Sequence, residues 1–336
     1  MKHKKWTIGT SRVDYYLDGS FAHLRQITDP SSTILITDEQ VAAAHAKKFR
    51  NWRTLILPPG EEHKTQATAD LVIRQLIEWE ADRKTTLVGV GGGVITDLTG
   101  YVASIYMRGI RFGFVPTTVL ALVDASIGGK NGVDVGPYKN LAGLIRQPAF
   151  LLHDLSLLKT LPEKEWINGF AEIIKHACIR DASMFKELES RQLGFYQKSK
   201  KALAELIERN TQIKTKVVQM DEGEKKERRL LNFGHTLGHA LETQYTLSHG
   251  QAVAIGMDFA ARLSVAQRGF KEADRVAKVI QQYGLPVSLS YDPEKVFQVL
   301  KMDKKRERKE INYVLLDRIG KGVIQSLPLE KIRSLL

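Results

Sequence analysis

A chain of 336 residues, 43% hydrophobic and 26% charged, can bury a sizeable core, which excludes a disordered or fibrous class and favours two domains over one. The net charge of +12 invites a nucleic-acid partner, but the lysines are dispersed, the densest cluster (302–309) is broken by Asp303 and Glu307, and an anionic small substrate or a solvated surface accounts for the excess without any nucleic-acid motif. No run of about 18 apolar residues occurs, and the lone Cys178 reads as a packed thiol, so a cytoplasmic protein away from membranes is expected.

In chain order, short apolar runs at 33–37, 54–57, 86–90 and 112–115 are bounded by Gly, Pro or Asp and read as strands, with a helix over 65–80. Such alternation predicts βαβ units, a parallel sheet, and ligands beyond the carboxyl ends of its strands. From about Pro162 helical periodicity dominates, in segments near 162–180, 196–220, 233–245, 250–268 and 271–283. Gly284-Leu285-Pro286 stops one helix, and 311–316 with 322–324 suggest a late hairpin. The expected division is an α/β domain over 1–158 and a helical domain over 159–336, with a cleft between them.

Between the third strand and its helix stands Gly89-Val90-Gly91-Gly92-Gly93-Val94-Ile95-Thr96-Asp97. Three successive glycines admit a diphosphate close to the backbone, and the helix N-terminus beyond them offers free amides. A tight turn is the other reading, and the spacing differs from G-x-G-x-x-G, so an ordinary Rossmann dehydrogenase is not implied. Asp38, at the end of an earlier strand, suits either a ribose hydroxyl or a helix cap.

His235 and His239 lie four residues apart in Asn232-Phe233-Gly234-His235-Thr236-Leu237-Gly238-His239, hence on one helix face, and Ser248-His249-Gly250 opens the next helix. With a carboxylate, such imidazoles can hold a zinc-type ion and leave a position open for substrate; each alone is equally a core or capping histidine. Glu172, an acid amid apolar residues in Phe170-Ala171-Glu172-Ile173-Ile174-Lys175, needs a partner such as a metal or Lys175.

These residues resemble the 3-dehydroquinate synthase family, and the likeness runs from about Asp38 to Asp303. It is carried by Pro59-Gly60-Glu61-Glu62-His63-Lys64, the Gly91–Asp97 loop, Tyr106-Met107-Arg108-Gly109, Val115-Pro116-Thr117-Thr118, Asp124-Ala125-Ser126-Ile127-Gly128-Gly129-Lys130, Lys139-Asn140, Leu158-Lys159-Thr160-Leu161-Pro162, Ala171 to Lys175, and Leu231 to His239 with His249-Gly250. The resemblance implies a Rossmann-like NAD-binding α/β domain, a C-terminal all-helical metal-binding domain, and a homodimer. It implies 3-deoxy-D-arabino-heptulosonate 7-phosphate, a phosphorylated sugar acid, as substrate, and 3-dehydroquinate with phosphate as products.

Position by position, the resemblance implies Glu172, His235 and His249 as ligands of one zinc or cobalt ion. Around NAD it sets Asp38, Glu61, Lys64, Gly92, Gly93, Val94, Asp97, Thr117, Thr118, Lys130, Lys139 and Thr160. Toward substrate it sets Asp124, Lys130, Asn140, Lys175, Lys214, Arg228, Asn232, His239 and Lys304, with Arg108 on the phosphate, across the dimer, and Glu224 nearby. Departures from the commonest pattern stand at Thr96, Asn131, Asp134, Arg146 and Gln251. They leave open a sister cyclase acting on glucose 6-phosphate or sedoheptulose 7-phosphate; a polyol dehydrogenase of related fold is the more distant rival.

Overall fold

The computed structural model describes residues 1–136, 138–303 and 310–336. Its contacts divide the chain into one compact unit of Met1–Glu165 with Lys200–Gly223, and another of Trp166–Ser199 with Glu224–Leu336. The division expected at 158/159 therefore differs by a few residues, and the segment Lys200–Gly223 changes sides. The reason is packing: helix Lys200–Met220 buries Val218 in the core of the first unit, Thr215 donates to Tyr15 Oη at 3.2 Å, and Gln219 donates to the Thr7 carbonyl at 2.6 Å. Helical periodicity announces such a helix but not its partner.

In the first unit the strands are β1 (Lys2–Ile8), β2 (Ser11–Leu17), β3 (Thr33–Asp38), β4 (Arg53–Leu57), β5 (Thr86–Gly91), β6 (Arg111–Pro116), β7 (Lys130–Val135), β8 (Tyr138–Ile145) and β9 (Phe150–Leu152). Seven of them form one sheet in the order β1-β2-β9-β6-β5-β3-β4, parallel throughout except for the β1–β2 pair. β3 and β5 are almost wholly buried, as strands covered on both faces must be, which is why they read as continuous apolar runs. Ile34, Ile36 and Leu87 enter one core with Val72 and Leu98 of the flanking helices Gln66–Glu78 and Gly93–Ile105. The intervening Leu35, Val88 and Val90 enter another with Phe21 and Trp52. Strand order reverses between β3 and β5, so the ligand-binding crevice of such a sheet falls at the carboxyl ends of these two strands. Asp38 and Gly91–Gly93 stand there.

The second unit contains most of helix Glu163–Arg180, with helices His235–Gln244, His249–Arg268 and Ala273–Gln282. It is not all helical: β10 (Glu310–Arg318) and β11 (Lys321–Pro328) pair antiparallel, a hairpin longer than the sequence signal. The hairpin is tied to the helices by Leu316 N–H on Ser264 Oγ (2.9 Å) and Gly320 N–H on the Cys178 carbonyl (2.8 Å). Cys178 is fully buried, and burial pushes its thiol pKa up, as a packed thiol requires.

Candidate active-site clusters

In the second unit Glu172 is fully buried on helix Glu163–Arg180. His235 begins its helix directly after Gly234, whose φ of 80° is a left-handed cap conformation. His249 begins the next helix, capped by a box in which Ser248 Oγ accepts from Gln251 N and Gln251 Oε1 accepts from Ser248 N. Gln251, one of the atypical residues, thus serves this cap as well as a glutamate does. A Cβ on Gly256 would lie 1.8 Å from the Gly234 carbonyl, so only glycine lets these two helices approach so closely. That approach sets the distance between the two imidazoles, whose ring centroids are 5.4 Å apart.

Both Nε2 atoms face the same acid: His235 Nε2 and His249 Nε2 each lie 3.4 Å from Glu172 Oε1. Ligand atoms about 2.0–2.2 Å from a tetrahedral zinc stand roughly 3.3–3.6 Å apart, so two nitrogens and a carboxylate oxygen at this spacing fit a zinc-type ion. The three offered atoms all lie within 4.8 Å of one another. Lys175, also buried, pairs with Glu172 Oε2. Burial pushes Glu172 up, but Lys175 and the two histidines bring its pKa well below the usual range. Burial, then Lys175, holds His235 well below its usual range, whereas His249, opposed by burial, is carried up to about 9 by Glu172 and Glu242.

Around this cluster, exposed His239 stacks edge-on to His235 with ring centroids 5.2 Å apart. Half-buried Asn232 donates to Glu224 Oε1 at 2.7 Å, and Arg228 is buried on the preceding turn. Lys304 lies outside the described residues.

In the first unit the glycines have separate tasks. A Cβ on Gly91 would meet Ile95 at 2.6 Å, and one on Gly89 would meet Thr99 Oγ1 at 2.8 Å, so these two serve strand–helix packing. A Cβ on Gly93 would find only Ala125, at an ordinary 3.5 Å, so the bare backbone there is not demanded by the protein's own packing. Gly92 caps helix Gly93–Ile105 without a side-chain bond, which leaves first-turn amides near Gly93 and half-buried Val94 for an anion. The residues therefore fit a dinucleotide diphosphate. Thr117 N–H closes the turn on the Gly91 carbonyl (2.9 Å), and Thr118 Oγ1 accepts from Ala121 N.

Buried Lys64 pairs with Glu61 at 2.6 Å and lies 3.6 Å from Asp97 and 3.8 Å from Asp134. Burial pushes the Asp97 carboxyl up to about 7 against the pull of Lys64. Asp38 caps the helix after β3 by accepting from Val41 N (2.9 Å), so its capping role is present whatever it does for a ribose. Thr160 shares a hydrogen bond with His45 at 2.9 Å, away from the glycine turn in sequence. Lys214 donates to both the carbonyl and the carboxylate of Asp124, each at 2.7 Å, where a π-helical turn over Ala121–Ala125 presents them. Exposed Lys130, Lys139 and Asn140 belong to the β7–β8 hairpin, and exposed Arg108 follows Met107 in a left-handed stretch. The remaining atypical residues have local bonds: Thr96 to the Gly93 carbonyl, Asn131 to the Gly129 and Arg146 carbonyls, Arg146 to the Ala103 carbonyl, and Asp134 from Asn140 N.

Two residues in these clusters escaped the sequence reading. Glu242 lies seven residues after His235, hence on its helix face, and approaches His249. Asn168, one turn before Glu172, accepts the Gly250 amide at 2.5 Å. Spacing flags both positions, but many exposed acids and amides share such spacing.

Among solved structures, the chain is similar to 2-deoxy-scyllo-inosose synthase complexed with carbaglucose-6-phosphate, NAD+ and Co2+ (25% identity, TM-score 0.87, covering 99% of each chain). It is equally similar to 2-epi-5-epi-valiolone synthase from Streptomyces hygroscopicus subsp. jinggangensis 5008 with NAD+ and Zn2+ bound (25%, 0.87, covering 99% of this chain and 96% of that one). Likeness of this extent puts the fold among the sugar phosphate cyclases. Sequence narrows the class: the 3-dehydroquinate synthase from Dehalococcoides mccartyi (strain ATCC BAA-2266 / KCTC 15142 / 195) is 41% identical over 315 residues, 90% of this chain and 88% of that protein. Family models described as 3-dehydroquinate synthase N-terminal and C-terminal match residues 54–168 and 169–306, and the chain belongs to the 3-dehydroquinate synthase family.

Proposed function

We propose that this protein converts 3-deoxy-D-arabino-heptulosonate 7-phosphate to 3-dehydroquinate and inorganic phosphate, as a carbon–oxygen lyase of the shikimate route to aromatic amino acids. The observation that carries the reading is the buried Glu172, His235 and His249 cluster in a chain of this family. When bound, NAD supplies reversible hydride transfer at a ring alcohol, and a zinc or cobalt ion held by Glu172, His235 and His249 supplies Lewis-acid polarisation of substrate oxygens.

The chain's own groups have the remaining tasks. In the proposed reaction the hydride exchange that NAD would supply acidifies a neighbouring C–H, whose proton is lost as phosphate leaves, and ring opening with aldol closure completes the product. Lys175, Arg228, Lys130 and Lys214 offset the substrate's negative charge, and the two hydrogen bonds that Lys214 donates to Asp124 fix its ammonium. His239, exposed and edge-on to the His235 ring, is suited to proton relay, with Asn232 orienting the reacting group. Arg108 suits a forked phosphate contact. Gly92, Gly93 and Val94 would hold the NAD diphosphate, with Asp38, Glu61, Lys64, Asp97, Thr117, Thr118, Lys130, Lys139 and Thr160 as the further candidates to hold the cofactor.

We assign the protein to the cytoplasm, with no membrane or nucleic-acid partner; among the described residues no helix is long and apolar enough to cross a membrane. A homodimer is supported by exposed Val135, Tyr138, Leu141 and Ile145 on the β7–β8 hairpin, apolar side chains that a second copy can cover. The test is incubation of the NAD- and zinc-supplemented protein with heptulosonate 7-phosphate, glucose 6-phosphate and sedoheptulose 7-phosphate, scored by phosphate release. Release from the first alone is expected; release from either of the others instead would reassign the protein to a sister cyclase, and net NADH accumulation with a simple alcohol would make it a dehydrogenase.

A further inference from the structure

We infer that Glu242 is a positioning residue for the metal centre, holding the His249 ring so that its Nε2 edge faces Glu172 and His235. The inference rests on the metal reading proposed above. The two imidazoles are held in the same sense. Each turns Nε2 toward Glu172 Oε1 at 3.4 Å, and each has an acceptor behind it: the Phe233 carbonyl 3.2 Å from His235 Nδ1, and Glu242 Oε2 3.6 Å from His249 Nδ1.

The two tethers differ in kind. His235 is anchored by a carbonyl two residues back in its own chain segment, so its orientation is local. His249 starts one helix, and its tether comes from near the end of another, His235–Gln244. Glu242 therefore couples the ring's rotation to the helix that carries His235. Its side chain is only 7% exposed, and a carboxylate so recessed is costly unless charge or hydrogen bonds meet it. An imidazole that offers Nε2 to an ion must carry its proton on Nδ1, and a carboxylate behind Nδ1 fixes that tautomer and raises the ring's basicity.

Charge points the same way. Glu172 is paired with Lys175, so a divalent ion on Glu172, His235 and His249 would meet one carboxylate already offset by an ammonium and two neutral rings. Glu242 restores a negative charge one layer out, where it attracts the ion without occupying a coordination position.

The test uses the full-length protein and its Glu242→Gln and Glu242→Ala variants. Zinc dissociation constants come from competition with a chelating dye, alongside NAD affinity and the melting temperature of the zinc-free proteins. Loss of such an outer partner weakens metal binding by about 10–100-fold. Glu242→Ala is expected in that range, Glu242→Gln, which keeps an acceptor but no charge, between it and the unaltered protein, and NAD affinity unchanged. Should Glu242→Ala fold poorly, Glu242→Gln decides. Zinc affinity within twofold of the unaltered protein in a folded variant overturns the role of Glu242 while leaving the metal site standing. Zinc affinity unaffected by Glu172→Gln overturns the metal reading itself, and the role of Glu242 with it.

Discussion

Asn168 and Gly250 lock two helices at the point where the cluster forms: Asn168 Oδ1 accepts the Gly250 amide at 2.5 Å, one helical turn before Glu172 and one residue after His249. The glycine is required because a Cβ there would lie 2.5 Å from the Asn168 carbonyl oxygen. Asn168→Ala leaves a buried N–H without its acceptor, at a cost of about 1–3 kcal/mol. The expected outcome is a lower melting temperature together with weaker zinc binding; zinc affinity equal to that of the unaltered protein would separate the lock from the metal site.

His235→Ala removes one of three atoms around the proposed ion. Zinc content and turnover are expected to fall together, whereas NAD affinity, proposed above to depend on the other unit's glycine turn, stays. Elemental analysis and equilibrium NAD binding on the purified variant check this. Turnover persisting after chelator treatment would remove the ion from the reaction.

What sequence revealed and what it hid follow one physical line. Gly91–Asp97, Glu172 and the His235, His239 and His249 set were legible because backbone freedom and imidazole spacing are local properties written in consecutive residues. The partner of helix Lys200–Met220 was hidden because its amphipathic face fits any apolar surface, and only Tyr15, Thr7 and Asp124 decide which. β1 was missed because Lys2, His3, Lys4 and Lys5 look like a solvated tail, yet alternation along it points Trp6 and Ile8 inward, and it pairs with β2. Three consecutive glycines look like one device, whereas Gly91 answers to Ile95 and Gly93 would meet only Ala125, at an ordinary contact distance.

His153, which follows β9, makes the first unit sensitive to acid. Its ring is buried, neither ring nitrogen has a hydrogen-bond partner among the described residues, and burial pushes its pKa down to about 4. The unfolded chain takes up this proton below about pH 6.5, and the folded protein not until about pH 4. The ring's contribution to stability is therefore complete above pH 6.5 and is lost as pH falls from there to 4. At pH 5 the loss is about 2 kcal/mol, 1.5 units at about 1.36 kcal/mol each. His153→Phe is expected to flatten this part of the profile; unfolding by denaturant at pH 5 and 7.5 measures it, and equal pH dependence in both proteins would remove His153 as the cause.

Arg108 combines the side chain proposed for the substrate's phosphate with a backbone that resists it. Met107, Arg108 and Gly109 have successive φ values of 50°, 65° and 116°, a left-handed run in which only the last residue is unstrained. A non-glycine residue in this conformation costs about 1–2 kcal/mol, so a glycine at 108 would stabilise the fold. The phosphate contact proposed for Arg108 would offset this strain, since a charged contact of this kind contributes about 1.5–3 kcal/mol. Two variants separate the terms. Arg108→Ala and Arg108→Gly should both raise KM for the phosphorylated substrate, roughly ten- to a hundredfold, because both lack the guanidinium. Only Arg108→Gly should raise the melting temperature, because only it releases the backbone. An unchanged KM in Arg108→Ala would take Arg108 out of the substrate's reach and leave the left-handed turn without a functional reason.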